Sequence, residues 1–351
     1  MFNNQQHFAN IRFELFFRLL SATNHNIIFM QLKIVISNQQ NPFLNLAVEQ
    51  NLVKQNPDDT LVMYLWKNYQ TVVIGLNQNP YTECNVDTLL SEGGHLMRRL
   101  TGGGAVYHDA GNLNFSFIVP KQYYNVPKQF AVIQKALQTF GLQTEISGRN
   151  DLLCDGRKFS GNAFATTDKI NNLHHGTLLI KTDITKVQKY LKVKPSKLKK
   201  HGVASVSSRI VNLSELAAVN SENIVQPLIT AFQDVYQAKA QITPFDLVCT
   251  PEVIAQSQML ASDDFLFAKW RNFHSKQSAS FAWGEVELDI TSNETLHCIQ
   301  NIEIATDCLN LPIIEQAQHL LQGASLEQAP TIPNIENAYI LQDIVNLIYT
   351  T

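Results

Sequence analysis

No two cysteines in this chain stand at CxxC spacing, and no Cys/His group has the spacing of a metal site. The five that occur (Cys84, Cys154, Cys249, Cys298 and Cys308) are odd in number and scattered. A disulfide framework is thereby excluded as the organising device, and a reduced, cytoplasmic compartment is the better fit. No apolar run approaches the length needed to span a bilayer, so no membrane association is expected. Charged residues make up 16% of the chain and the net charge is −3, which lacks the basic surplus of a general nucleic-acid binder. The P-loop pattern GxxxxGK[ST] and the dinucleotide pattern GxGxxG are both missing, as are GxSxG, paired catalytic carboxylates, internal repeats and low-complexity tracts. From Gln277 to the C-terminus there is no lysine or arginine against ten acids, a shift that points to a separate small domain.

What is present suits a globular protein able to bury a sizeable core: 351 residues, 45% of them apolar, enough for two domains. Residues 11–20 (IRFELFFRLL) are apolar but carry Arg12, Glu14 and Arg18, and no small-residue cleavage site follows, so they make a poor secretory signal. Met30 opens a clean first strand. The expectation is that Met30 is the true start and that 1–29 is a disordered or mis-assigned leader, with an amphipathic targeting helix as the alternative. The rest divides into a large domain at 30–245, a connector at 246–262 and a small C-terminal domain at 263–351.

Asn41 and Pro42 have the order of a helix cap and first turn, followed by apolar residues at helical spacing. Residues 61–66 and 71–74 outline a β-hairpin across Lys67-Asn68-Tyr69-Gln70. The stretch 98–114 (RRLTGGGAVYHDAGNLN) then sets Arg98 and Arg99 before Gly102-Gly103-Gly104. Three consecutive glycines cost chain entropy, so a fold keeps them where backbone must approach something closely or adopt positive φ. Bare N–H groups beside two guanidinium forks would seat a phosphate or carboxylate; a glycine-rich turn between surface arginines is the alternative. Asp155-Gly156 signals a two-residue hairpin that places Lys158 early on a returning strand. His174 and His175 are adjacent on a strand and point to opposite faces, which suggests one inward, hydrogen-bonded histidine and no protein-only metal site. Five lysines fall within 192–200, a solvated surface or a run that steers an acidic partner. A glycine cradle, arginines and an ordered lysine suit electrostatic catalysis on an anion, such as activation of a carboxylate by a nucleotide.

These blocks together resemble the lipoate–protein ligase A family, within the biotin/lipoate A/B protein ligases. The matches are 98–112 (RRLTGGGAVYHDAGN), 148–163 (GRNDLLCDGRKFSGNA) and 174–179 (HHGTLL). Softer matches at 41–49, 73–85, 205–213 and 281–288 keep the family's order. The resemblance implies an α+β, biotin/lipoate ligase-like (class II synthetase-like) catalytic domain with a small α+β C-terminal accessory domain. It implies activation of free lipoate by ATP to lipoyl-AMP, then transfer to a lysine of apo lipoyl domains of 2-oxoacid dehydrogenase E2 subunits and glycine cleavage H protein. Mg²⁺ would travel with the nucleotide, and the enzyme would act as a monomer. By position, Arg99 and Gly104, Ala105, Val106 and Tyr107 would hold the nucleotide, with Gly103 beside them. Lys158 would contact phosphate and lipoyl carbonyl as the catalytic residue; Asn150, Asp151 and His175 match without a firm role. Two departures stand out: His201-Gly202 where the family has a lysine before glycine, and Ser207 where it has an arginine. The alternatives are a cysteine-dependent octanoyl or lipoyl transferase of the same fold, with Cys154 as the candidate thiol, and an inactive lipoyl-binding paralogue.

Overall fold

Asn41 caps the first helix as its position requires, its Oδ1 accepting from the backbone N–H of Phe43 (3.0 Å) and Leu44 (3.2 Å). The computed structural model describes residues 30–148, 150–166, 170–192, 209–267, 276–293 and 298–349. Residues 1–29, Arg149, and the stretch carrying most of the lysine run, His201-Gly202 and Ser207 lie outside the described residues. The strands are β1 (Gln31–Ile36), β2 (Thr60–Trp66), β3 (Thr71–Ile74), β4 (His95–Arg98), β5 (Val106–His108), β6 (Asn112–Pro120), β7 (Glu145–Ser147), β8 (Asp151–Cys154), β9 (Arg157–Ala165), β10 (Asn171–Leu179), β11 (Ala240–Thr243), β12 (Lys276–Phe281), β13 (Gly284–Asn293) and β14 (Cys298–Thr306). The helices are α1 (Pro42–Gln55), α2 (Pro80–Glu83), α3 (Val86–Ser91), α4 (Val126–Gln138), α5 (Ile184–Tyr190), α6 (Val225–Tyr236), α7 (Pro251–Leu260), α8 (Asp263–Phe267), α9 (Leu311–Leu321) and α10 (Ala338–Tyr349).

Among the described residues the strands form three sheets: a large one in the order β11-β1-β2-β6-β10-β9-β8-β7, and two small ones, β4-β3-β5 and β12-β13-β14. β6 explains how the large sheet works. Its sequence alternates polar and apolar, yet every residue is buried. Leu113, Phe115 and Phe117 face a core filled by α4 and α6, including Phe130, Ile133, Leu228 and Phe232. Each such ring or branched chain contributes about 1.5–3 kcal/mol on burial. The opposite face is covered by α1 and α7, whose Leu46, Leu52, Val253 and Leu260 pack on Val62, Tyr64 and Trp66. The polar side chains of β6 alternate with these: Ser116 bonds Glu49 and Trp66 on the second face, and Asn112 Nδ2 donates to Asn114 Oδ1.

Residues 61–66 and 71–74 do not form the expected hairpin. β2 already pairs with β1 and β6, so both of its edges are occupied. The link is tied down instead: Asn45 Nδ2 donates to Lys67 O (2.8 Å), and Tyr69 N donates to Gln40 O (2.9 Å). That hands the chain to the small sheet, where β3 takes β4 parallel and β5 antiparallel. The stretch read as a connector carries α7, packed on α1. The C-terminal sheet and its helices α9 and α10 bury their own core around Trp283, Ile302, Ile314 and Ile344. Its β14 end meets the rest at Thr306 N, which donates to Asn77 O (2.8 Å).

Candidate active site

The hairpin at Asp155-Gly156 forms as expected, with φ of 51° and 70° at the two turn residues. It returns the chain as β9, where Lys158 pairs with Leu153 and a register shift between Leu152 and Leu153 leaves Phe159 as the extra, unpaired residue. Lys158 is not a solvent-facing strand lysine. It lines a cavity of about 990 Å³. Its Nζ lies 2.7 Å from Asp151 Oδ1, and Asp151 Oδ2 accepts from Arg209 at 2.8 Å. Gly161 sits under this amine: a Cβ there would stand 2.8 Å from Lys158 Nζ. Asn150 lines the same cavity, its Nδ2 donating to Asn162 O (2.6 Å).

The glycine run borders the cavity from the other side, with Gly103, Gly104, Ala105, Val106 and Tyr107 all on its wall. Gly103 has φ +93°, and a Cβ on Gly102 would come within 2.0 Å of Cys308 O, so both glycines answer a steric need. The arginines do something different from the two open forks expected of them. Arg98 donates to the carbonyls of Gly75, Leu76, Gln78 and Leu266, and ties separate loops together. Arg99 lines the cavity but spends its donors on Thr101 Oγ1 (3.0 Å), Gly102 O (2.7 Å), Gly104 O (2.9 Å) and Val73 O (3.3 Å). It therefore shapes the glycine loop from within. Burial lowers the pKa of both guanidinium groups to about 10, which leaves them charged at neutral pH.

Both histidines are inward, because both faces of the sheet are covered. His174 is fully buried between Gln129 (2.7 Å) and Asn162 (3.0 Å), and burial holds its pKa well below the usual value. His175 lines the cavity and joins a chain of hydrogen bonds that spacing does not reveal. Its Nδ1 donates to Glu49 Oε1 (2.9 Å), and its Nε2 is hydrogen-bonded to the Thr101 hydroxyl (2.7 Å), which accepts from Arg99 Nε. Ser116, itself holding Trp66 Nε1–H at 3.0 Å, donates to the same Glu49 oxygen. Helix α1 thus reaches the glycine loop through Glu49, His175, Thr101 and Arg99. Glu49 and Arg209 escaped the sequence reading. A glutamate inside the apolar face of α1, beside Ala47, Val48 and Leu52, was the available signal for the first.

Cys154 stands apart from this chemistry. It is buried in the core below the sheet, its thiol donates to Gln143 O (3.2 Å), and burial pushes its pKa up. Among the described residues no group of three or more His, Cys, Asp or Glu could hold a metal ion, and no helix is long and apolar enough to cross a membrane. Leu46, Trp66, Val73, Met97 and Leu179 add an apolar stretch to the cavity wall. A charged rim, an ordered lysine and an apolar interior suit a ligand with an anionic head and a hydrocarbon tail.

Comparison with known proteins agrees with that arrangement. The profile of the lipoyl protein ligase A/B catalytic domain matches residues 41–233. The chain is similar to lipoate-protein ligase A of Bdellovibrio bacteriovorus, 40% identical over 84% of this chain and 88% of that protein. It is 36% identical to lipoate-protein ligase A of Psychrobacter cryohalolentis, over 85% of this chain and 90% of the relative. Among solved structures, LipL1 of P. falciparum in complex with lipoate superposes with a TM-score of 0.78 at 27% identity, covering 91% of this chain and all of that one. With this match, the α+β fold and the site built around Lys158, the chain belongs to the lipoate–protein ligase A family.

Proposed function

We propose that this protein is an ATP-dependent lipoate–protein ligase that makes lipoyl-AMP and passes the lipoyl group to a lysine of acceptor lipoyl domains. The observation that carries the reading is Lys158: an ordered amine on the wall of a cavity that also holds the glycine loop and an apolar interior. In the first step a lipoate carboxylate oxygen bonds to the α-phosphorus of ATP and pyrophosphate leaves. Two anions must meet, and the Lys158 ammonium is placed to offset both. At about 4 Å and an effective dielectric near 20 each contact is worth about 4 kcal/mol. In the second step the acceptor amine forms a C–N bond to the acyl carbon and loses a proton, the bond from that carbon to the bridging oxygen breaks, and AMP departs with the bridging oxygen.

In this reading Arg99, through its bonds to Gly102 O and Gly104 O, holds the backbone from Gly103 to Tyr107 in the shape that receives the nucleotide. Asp151 and Asn150 fix Lys158 and its strand, and His175 supports the loop through Thr101. Mg²⁺ would enter with ATP and offset phosphate charge, held by the nucleotide rather than by Asp151, whose two oxygens are taken by Lys158 and Arg209. We extend the proposal to a cytoplasmic monomer with a catalytic domain at 30–245 and an accessory domain at 263–351. Its acceptors would be E2 subunits and the glycine cleavage H protein. The position of Cys154, outside the cavity wall and with its pKa raised, supports this ligase over a cysteine-dependent transferase. Lipoate-dependent exchange of labelled pyrophosphate into ATP tests the first step; no exchange above background would overturn the reading.

A further inference from the structure

We infer that His108 is a specificity-determining hydrogen-bond donor that favours a sulfur-bearing acyl ring over plain hydrocarbon at the Trp66 end of the cavity. This rests on the ligase reading above. His108 lies on β5, on the same face as Val106, and lines the cavity while being only 3% exposed. Its ring packs edge-on against Trp66, 6.2 Å between centroids.

The ring's hydrogen can be located from its neighbours. Asn45 Oδ1 accepts from Tyr64 Oη (3.0 Å) and Ser37 Oγ (2.7 Å), so the Asn45 amide nitrogen faces the other way and donates to Lys67 O and Asn68 Oδ1. With its oxygen so engaged, Asn68 turns its own amide nitrogen to His108 Nδ1 at 3.2 Å. Nδ1 is therefore an acceptor. Burial, with Arg99 and His175 adding to it, pushes the His108 pKa down to about 3, so the ring is neutral at physiological pH. Its single N–H is on Nε2, which has no partner among the described residues. A second orphan stands close by in the fold: Asn114, the cross-strand neighbour of Trp66, lines the same cavity with Nδ2 unpartnered.

A buried donor without a partner calls for an explanation, and on a residue that lines a cavity a bound ligand is one that supplies it. Lys158 on β9 and Trp66 on β2 are three strands apart in the large sheet, about 14 Å at the usual strand spacing. A substrate whose carboxyl end meets Lys158 would thus bring the far end of an eight-carbon chain toward His108. A dithiolane ring offers sulfur acceptors there. A straight octanoyl tail, or a carbocyclic ring of the same shape, leaves Nε2–H facing methylene groups. A well-oriented partner for a buried donor is worth about tenfold in affinity, the same as 1.4 kcal/mol.

The test compares lipoate, octanoate and 5-cyclopentylpentanoate, the ring-shaped analogue without sulfur, by calorimetric binding to the full chain and by ATP-dependent transfer to an acceptor domain. Lipoate is expected to bind at least about tenfold tighter than the carbocyclic analogue, and His108→Phe is expected to shrink that ratio to within about threefold while the protein still binds ATP. Equal binding of the two ring acids by the unaltered protein would overturn the proposal without any variant, as would a His108→Phe protein that keeps the full ratio. Transfer of both acids with equal efficiency would remove the specificity claim and leave the ligase reading standing. No ATP-dependent transfer of either would remove both.

Discussion

Replacing Lys158 by alanine should separate chemistry from folding. The side chain is 21% exposed, and its strand stays paired through Leu153 opposite and through Val211 N, which donates to Lys158 O (2.9 Å). Asp151 would keep Arg209 as a partner at 2.8 Å, so no buried carboxylate is orphaned. The loss in stability should stay within about 1 kcal/mol, the usual worth of a partly exposed ion pair. Catalysis should suffer far more. A charge contact of about 4 kcal/mol that strengthens in the transition state corresponds to roughly a thousandfold in rate. Lipoate-dependent pyrophosphate exchange reads that loss directly, with thermal unfolding as the control for folding. A variant with exchange within about tenfold of the parent would refute the electrostatic role given to Lys158.

Gly161→Ala should displace the same amine without removing it, since the new Cβ would stand 2.8 Å from Nζ; exchange should fall roughly tenfold or more while Tm barely moves, and an unchanged rate would mean the lysine's position is not critical. Glu49→Ala strips the acceptor from His175 and Ser116 and should cost about 2–4 kcal/mol, because two buried donors lose their partner. Glu49→Gln, which keeps an acceptor, should recover about half of that by chemical denaturation, and equal losses in the two variants would contradict the hydrogen-bond chain. Acid should destabilise the fold early: His108 and His174 are held neutral, with folded pKa values far below the ordinary 6.5, so the unfolded chain binds protons the native state does not. Stability is then fully present above pH 6.5 and falls by about 1.4 kcal/mol per pH unit for each histidine below it, until the folded pKa is reached. A Tm unchanged between pH 7.5 and 5 would show that these rings are not buried as neutral groups.

The parts of the site legible in the sequence are those where one residue type answers a local backbone need. Asp155-Gly156 announced its turn because both residues adopt positive φ, and that turn located Lys158. The triple glycine announced close approach, and Gly102 does meet the Cys308 carbonyl. What local pattern could not carry was the identity of distant partners. Arg98 looked like an anion fork because the four carbonyls it collects come from Gly75, Leu76, Gln78 and Leu266, far away in the chain. The β2–β3 hairpin failed for the same reason: the edges of β2 were already taken by β1 and β6. The alternation of β6 was readable as a strand, but its polar face could have met water or a site. Only the packing of α1 over Ser116 and Asn114 decides that, and Glu49, the residue that connects the face to the glycine loop, sits 67 residues before Ser116.

The central claim is best tested by the intact mass of an apo lipoyl domain after incubation with this protein and free lipoate, with and without ATP, alongside a Cys154→Ser variant. The account predicts a lipoyl mass gain only when ATP is present, undiminished by the cysteine substitution. No gain with lipoate and ATP, together with acylation from an octanoyl-carrier donor that Cys154→Ser abolishes, would contradict it.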